Sequence, residues 1–198
     1  MTINLKKGQR ISLAKEAPGL TRLMCGLGWD ASKRGPLGLF SREAANFDLD
    51  SSIICLDDRD RLKRNSDIVY FGNLRHPSNA ITHLGDNLTG AGEGDDEQIL
   101  IDLPQIPDEI TKLVVAVNIY HCIARGQDFG QVKNAFVRLV NLVNNQEIAR
   151  YNLSGAEYKG KTGMIMAEIY RHEGEWKMAA VGTGVYANGL EELTRPYT

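Results

Sequence analysis

Apolar residues recur at every second position in several segments of this chain. Leu23, Cys25, Leu27 and Trp29 alternate with Arg22, Met24, Gly26 and Gly28. Leu113, Val115, Val117 and Ile119 alternate in the same way with Val114, Ala116, Asn118 and Tyr120. A period of two with β-branched enrichment predicts strands. Phe136-Val137-Arg138-Leu139-Val140 is a further short strand-like run. Residues 165–172 and 176–181 flank Glu173-Gly174-Glu175, which predicts a tight hairpin. Residues 57–65 form a charged connector between Ser52-Ile53-Ile54-Cys55-Leu56 and Ile68-Val69-Tyr70-Phe71, a second hairpin, and Asn144-Asn145 punctuates a third. Helical pattern is sparse: Pro107-Asp108-Glu109-Ile110 can open one turn, and residues 189–194 read as a short helix that stops before Pro196. The expected fold is therefore all-β (mainly β), a two-sheet β-sandwich with a few short helices and its loops gathered at the ends. No composition shift marks a boundary, so residues 1–198 read as one domain. Residues 31–46, with Leu37, Leu39 and Phe40, read as a long mobile loop.

One loop has unusual chemistry. Asp86-Asn87-Leu88-Thr89-Gly90-Ala91-Gly92-Glu93-Gly94-Asp95-Asp96-Glu97 crowds five carboxylates among three glycines, without Lys or Arg. Carboxylates this close repel one another unless a cation sits among them. An oxygen-rich, flexible, multidentate loop suits Ca2+. The spacing departs from an EF-hand: Leu88 and Gly90 stand where the third and fifth ligands belong, and Ala91 replaces the required glycine. Gln98-Ile99-Leu100-Ile101-Asp102-Leu103 follows as a strand, not a helix. The pattern predicts a metal loop between strands.

Composition narrows the function classes. Hydrophobic residues make 42% and charged residues 24% of the 198, with net charge −2, so bulk charge favours neither nucleic acid nor an anionic membrane. The first eight residues lack the apolar core of a signal peptide, and no apolar run reaches transmembrane length. Cys25, Cys55 and Cys122 are odd in number, dispersed and set among apolar neighbours, which predicts reduced, buried thiols in a cytoplasmic protein.

Several segments together resemble the TerD family of tellurite-resistance and stress proteins. They are Pro18-Gly19-Leu20-Thr21, Gly26-Leu27-Gly28-Trp29-Asp30, Phe47-Asp48-Leu49-Asp50-Ser51-Ser52, the loop from Gly85-Asp86 to Asp96-Glu97, residues 127–134 and Ile148-Ala149-Arg150-Tyr151. The resemblance runs in order over nearly the whole chain. Residues 31–46 and Tyr120-His121-Cys122-Ile123 depart from the family pattern. The resemblance implies a β-sandwich holding Ca2+, two ions, and a non-catalytic role in tellurium resistance or a wider stress response. It also implies partners among other stress-resistance proteins, in a complex at the inner membrane face. In the family, the acidic loop shares its ions with the Gly-Trp-Asp and Asp-Leu-Asp segments, here Asp30, Asp48 and Asp50.

Residue chemistry supports that assembly. Asp48 and Asp50, two apart, point to one face of an extended segment, with Leu49 on the other. Ca2+ takes about six to eight oxygens, so several segments must converge. Asp30, Asp48, Asp50, Asp86, Glu93, Asp95, Asp96 and Glu97 supply carboxylates, backbone near Thr89 and Gly92 supplies carbonyls, and Asn73 and Asn87 are candidate amide ligands. The alternative is a Ca2+-dependent hydrolase acting on a phosphate or ester, with His76 or His83 as base. It lacks a recognisable nucleophile motif: no G-x-S-x-G, P-loop or H-E-x-x-H occurs.

Overall fold

The computed structural model describes residues 2–29, 47–85, 95–152 and 156–198. Among them the strands run, in chain order, β1 (Ile3–Asn4), β2 (Arg10–Ser12), β3 (Arg22–Gly28), β4 (Leu49–Leu56), β5 (Ile68–Val69), β6 (Ile81–His83), β7 (Glu97–Asp102), β8 (Lys112–Ile119), β9 (Phe136–Asn141), β10 (Gln146–Asn152), β11 (Gly163–His172) and β12 (Glu175–Val185). The short helices are α1 (Leu13–Glu16), α2 (Cys122–Arg125) and α3 (Leu190–Thr194). The first sheet has the order β1-β10-β9-β3-β7-β6, the second β2-β12-β11-β8-β4-β5. Every pairing is antiparallel except β1 with β10. This is the expected two-sheet, mainly β sandwich.

The alternating pattern sorts side chains between the sheets. Leu23, Cys25 and Leu27 of β3 meet Leu49, Ile53 and Cys55 of β4 and Leu113, Val115 and Val117 of β8 in one buried cluster. Full burial of such a side chain stabilises by about 1.5–3 kcal/mol. The second sheet is covered outside as well: Ile54, Leu56, Val114 and Ala116 pack under Ala187 and Leu193. Burial on both faces explains why β8 has no polar alternate between Leu113 and Val117.

Turn chemistry sets the hairpins. Glu173 and Gly174 both have positive φ, 54° and 78°, the two-residue loop whose twist matches the β11–β12 strands. Asn145, at φ 57°, turns β9 into β10, and β5 returns on β4 with Ile53 opposite Val69. Residues 107–110 close one turn, Ile110 N–H donating to the Pro107 carbonyl at 3.0 Å. β1, β2 and α2 are not visible in the alternation. They are only two to four residues long, too short to show a period.

Candidate metal centre

The site lies at the end of the sandwich where β3 leaves, β4 enters and β6 and β7 are joined. Asp48 sits one residue before β4, and Glu97 opens β7 in the opposite sheet. Glu97 shares the inward face of β7 with Ile99 and Ile101, so its carboxylate points between the sheets and is 1% exposed. Its Oε2 accepts the Ser51 backbone N–H at 2.6 Å, a bond that ties the two sheets together. Among the described residues its Oε1 is buried without a hydrogen-bond partner, and so is Asp48 Oδ1. Burial is the main cause holding the Asp48 carboxyl above its ordinary pKa. Arg125, 3.9 Å away, opposes the rise, Glu97 adds to it and His121 opposes it.

Asp96 and Trp29 stitch the rim. Trp29 backbone N–H donates to Asp96 Oδ2 at 2.9 Å, Asp96 N–H donates to the Leu27 carbonyl at 2.8 Å, and Trp29 Nε1–H donates to the Phe47 carbonyl at 3.2 Å. The tryptophan of Gly-Leu-Gly-Trp-Asp thus clamps the start of β4 to the start of β7.

Asp95 goes elsewhere. Arg138 grips it with two bonds, Nε to Oδ1 at 2.7 Å and Nη2 to Oδ2 at 2.9 Å. Its carboxylate is fully buried on the outer face of the first sheet, over Gly26. A Cβ at Gly26 would collide with that carboxylate, so the glycine makes room for the pair. Arg138 continues to Glu147, and Glu147 to Arg150, at 3.0 and 2.8 Å. Sequence reading missed Arg138. Its only local signal is a charge between the apolar Val137 and Leu139 of a strand.

Asp50 faces away from Glu97. It shares the outer face of β4 with Ser52, opposite Asn118 of β8, whose Nδ2 donates to Asp50 Oδ2 at 3.0 Å. Asn73 Nδ2 donates to the Ile68 carbonyl at 2.6 Å, which makes it a strut for its own turn. Asp30, Asp86, Asn87, Thr89, Gly92 and Glu93, and residues 31–46 with Leu37, Leu39 and Phe40, lie outside the described residues. Among the described residues no group of three His, Cys, Asp or Glu is arranged to hold a metal. The Asp48 and Glu97 oxygens without partners fit a hard cation, and the chain reaches both from the roots of the segments that carry the remaining carboxylates.

The histidines differ from a hydrolytic arrangement. His83 Nδ1 accepts the Gly85 N–H at 3.1 Å, so a neutral ring carries its proton on Nε2, which faces Ser51 Oγ at 3.3 Å and Glu97 at 3.7 Å. In that tautomer the nitrogen facing the hydroxyl is a donor and not a base. His76 sits near Asp57 at the far end of β4, roughly 25 Å along an eight-residue strand, with Asp67 at 3.4 Å and Ser78 Oγ at 2.8 Å. The three cysteines are buried and unpaired with one another; burial, helped by Asp95, pushes Cys25 up to about 12. Among the described residues no helix is long and apolar enough to cross a membrane.

Comparison with known proteins agrees with the fold and the segments. The family model described as TerD domain matches residues 1–197. The chain is 47% identical to stress response protein SCP2 of Bacillus subtilis (strain 168), covering all of both chains. It is 42% identical to tellurium resistance protein TerD of Serratia marcescens over all of this chain and 97% of that one. A solved Streptomyces coelicolor A3(2) homologue of telluride resistance protein (TerD) superposes with TM-score 0.63, 22% identity and coverage of 85% of this chain and 92% of that one, a likeness of fold. The chain belongs to the TerD domain family.

Proposed function

We propose that this protein is a Ca2+-binding, non-catalytic module of stress or tellurium resistance, in which the ion rigidifies one end of the sandwich for assembly with other stress-resistance proteins. The observation that carries the reading is the pair of buried oxygens that have no partner among the described residues, Asp48 Oδ1 and Glu97 Oε1. A buried carboxylate oxygen without a donor is costly, and a divalent cation offsets that cost. Asp48, Asp96 and Glu97 would hold the ion, with Asp30, Asp86 and Glu93 supplying carboxylates from sequence next to them. An all-oxygen donor set favours Ca2+ over softer metals, and the loop's spare carboxylates suit two ions.

The ion supplies charge compensation and cross-linking between the segments. Trp29, Ser51 and Asp96 already tie the roots of these segments to both sheets. Binding would therefore be felt as order across the whole end. Such a rigid surface suits a partner at the inner membrane face of the cytoplasm.

Thermal unfolding in EDTA and in saturating Ca2+ tests the reading. At one hundred times Kd, binding to the native state adds about 2.7 kcal/mol, a rise of about 5–10 °C for a chain of this length. Mg2+ is expected to give much less, because it yields its water reluctantly and demands a tight octahedron. Superimposed melting curves in EDTA and Ca2+ would end the calcium assignment.

A further inference from the structure

We propose that the outer face of the second sheet carries an aromatic cage for a methylated ammonium cation. Tyr70 and Phe71 sit on a tight turn closed by two backbone bonds, Tyr70 N–H to the Asn73 carbonyl at 3.1 Å and Asn73 N–H to the Tyr70 carbonyl at 2.9 Å. Gly72 is required in that turn, since a Cβ there would lie 2.6 Å from the Tyr70 ring. Asn73 Nδ2 braces the turn against the Ile68 carbonyl at 2.6 Å. The rings stand nearly perpendicular: Tyr70 to Phe71 at 5.3 Å and 77°, Phe71 to Tyr120 at 6.2 Å and 89°. Tyr120 N–H donates to the Asp48 carbonyl at 2.8 Å, and its ring meets His121 edge to face with centroids 4.2 Å apart.

These rings, with Leu190, wall a cavity of about 140 Å³ whose floor holds Asp50 and Asn118. Asp50 is 4% exposed, and Asn118 orients its carboxylate through the 3.0 Å bond. Aromatic walls around a buried carboxylate give a cation both π faces and charge. The walls offer little hydrogen bonding, so an ammonium that has exchanged its N–H groups for methyls loses least hydration on entry. The cavity is well below the size of a drug-like pocket and suits a compact head group. Phe71 and Tyr120 are 42% and 40% exposed, so the mouth is open. The cage uses none of the oxygens that carry the calcium reading, because Asp50 faces away from the side of β4 that meets Glu97, and it touches that end of the strand through the Tyr120 N–H on the Asp48 carbonyl and through Ser51.

Calorimetric and NMR titrations with choline, with Nα-acetyl-trimethyllysine amide and with 3,3-dimethylbutanol, the neutral isostere of choline, test the cage in EDTA and in Ca2+. Saturable binding of at least one cation is expected, with the isostere about fivefold weaker or worse. Phe71→Leu and Tyr120→Leu should each lower affinity about fivefold while leaving the melting temperature near that of the parent, since both rings are exposed. Asp50→Asn should weaken the cation and spare the Ca2+ response. Tighter choline assigns a free solute, tighter trimethyllysine a partner's side chain, and both sustain the cage. Equal affinity for cation and isostere, unchanged affinity in both ring variants, or no saturation with either cation would overturn it.

Discussion

Two carboxylate-rich regions lie at opposite ends of β4, and the chain treats them in opposite ways. Beyond Leu56, Asp57 Oδ1 accepts the N–H groups of Arg59 and Arg61, both at 2.9 Å, and Lys63 stands 3.5 Å from Oδ2. Asp60 pairs with Lys112 at 2.6 Å. The Arg61 N–H is the largest cause holding the Asp57 carboxyl below its ordinary pKa, against the opposing effect of burial, with Arg59 and Lys63 assisting. Before Leu49, burial drives Asp48 the other way, and Asp48 and Glu97 each keep an oxygen without a partner among the described residues. Acidic composition is common to both ends. What separates a candidate ion site from a self-contained turn is whether the fold provides donors for the carboxylate oxygens. Asp95 and Glu97 repeat the contrast two residues apart: one is matched by Arg138, the other is left half-satisfied.

The sharpest break of this comparison is charge removal at each end. Glu97→Gln should abolish the Ca2+-dependent rise of about 5–10 °C, whereas Asp58→Asn, on the balanced turn, should keep it. Equal loss in both variants by calorimetry would mean that the two ends do not differ as described.

Next in size is the matched carboxylate. Arg138→Gln strips the counter-charge from a fully buried Asp95, and should cost about 2 kcal/mol in urea unfolding. That is below the range for a wholly buried pair, because Arg138 is 25% exposed. The loss should be the same in EDTA and Ca2+, which separates a structural pair from an ion ligand. Gly26→Ala should fall in the same direction by displacing Asp95.

A smaller effect follows from Asp57. Its folded pKa is lowered, so its ionised form favours the folded state above the ordinary carboxylate pKa. That stabilisation is lost as pH falls through the folded value. Asp57→Ala should melt lower than the parent near neutral pH, with the gap closing in acid. A gap that widens in acid would reverse the assignment. Smallest of all, Cys25 should resist iodoacetamide at mildly alkaline pH in the folded chain and react in urea, since burial, aided by Asp95, pushes its thiol up to about 12.

The sequence by itself determined the longer strands and the turns between them. Side-chain alternation is local and has a fixed period of two, so β3, β8, β9 and the β11–β12 hairpin can be read from their own residues. It also determined that residues 86–97 carry an excess of carboxylate without local cations. Which carboxylates share a space was decided only by tertiary structure. Two-residue spacing groups Asp48 with Asp50 and Asp95 with Glu97, but β4 begins at Leu49 and turns Asp50 outward, and the chain bends at Asp96 before β7 begins. Asp95 meets Arg138 because β3 pairs with both β7 and β9, placing Gly26 opposite Gln98 on one side and Arg138 on the other. The physical reason is that strand pairing sets which charges meet across a sheet, while burial sets what an unmatched charge costs, and neither is a property of neighbouring residues.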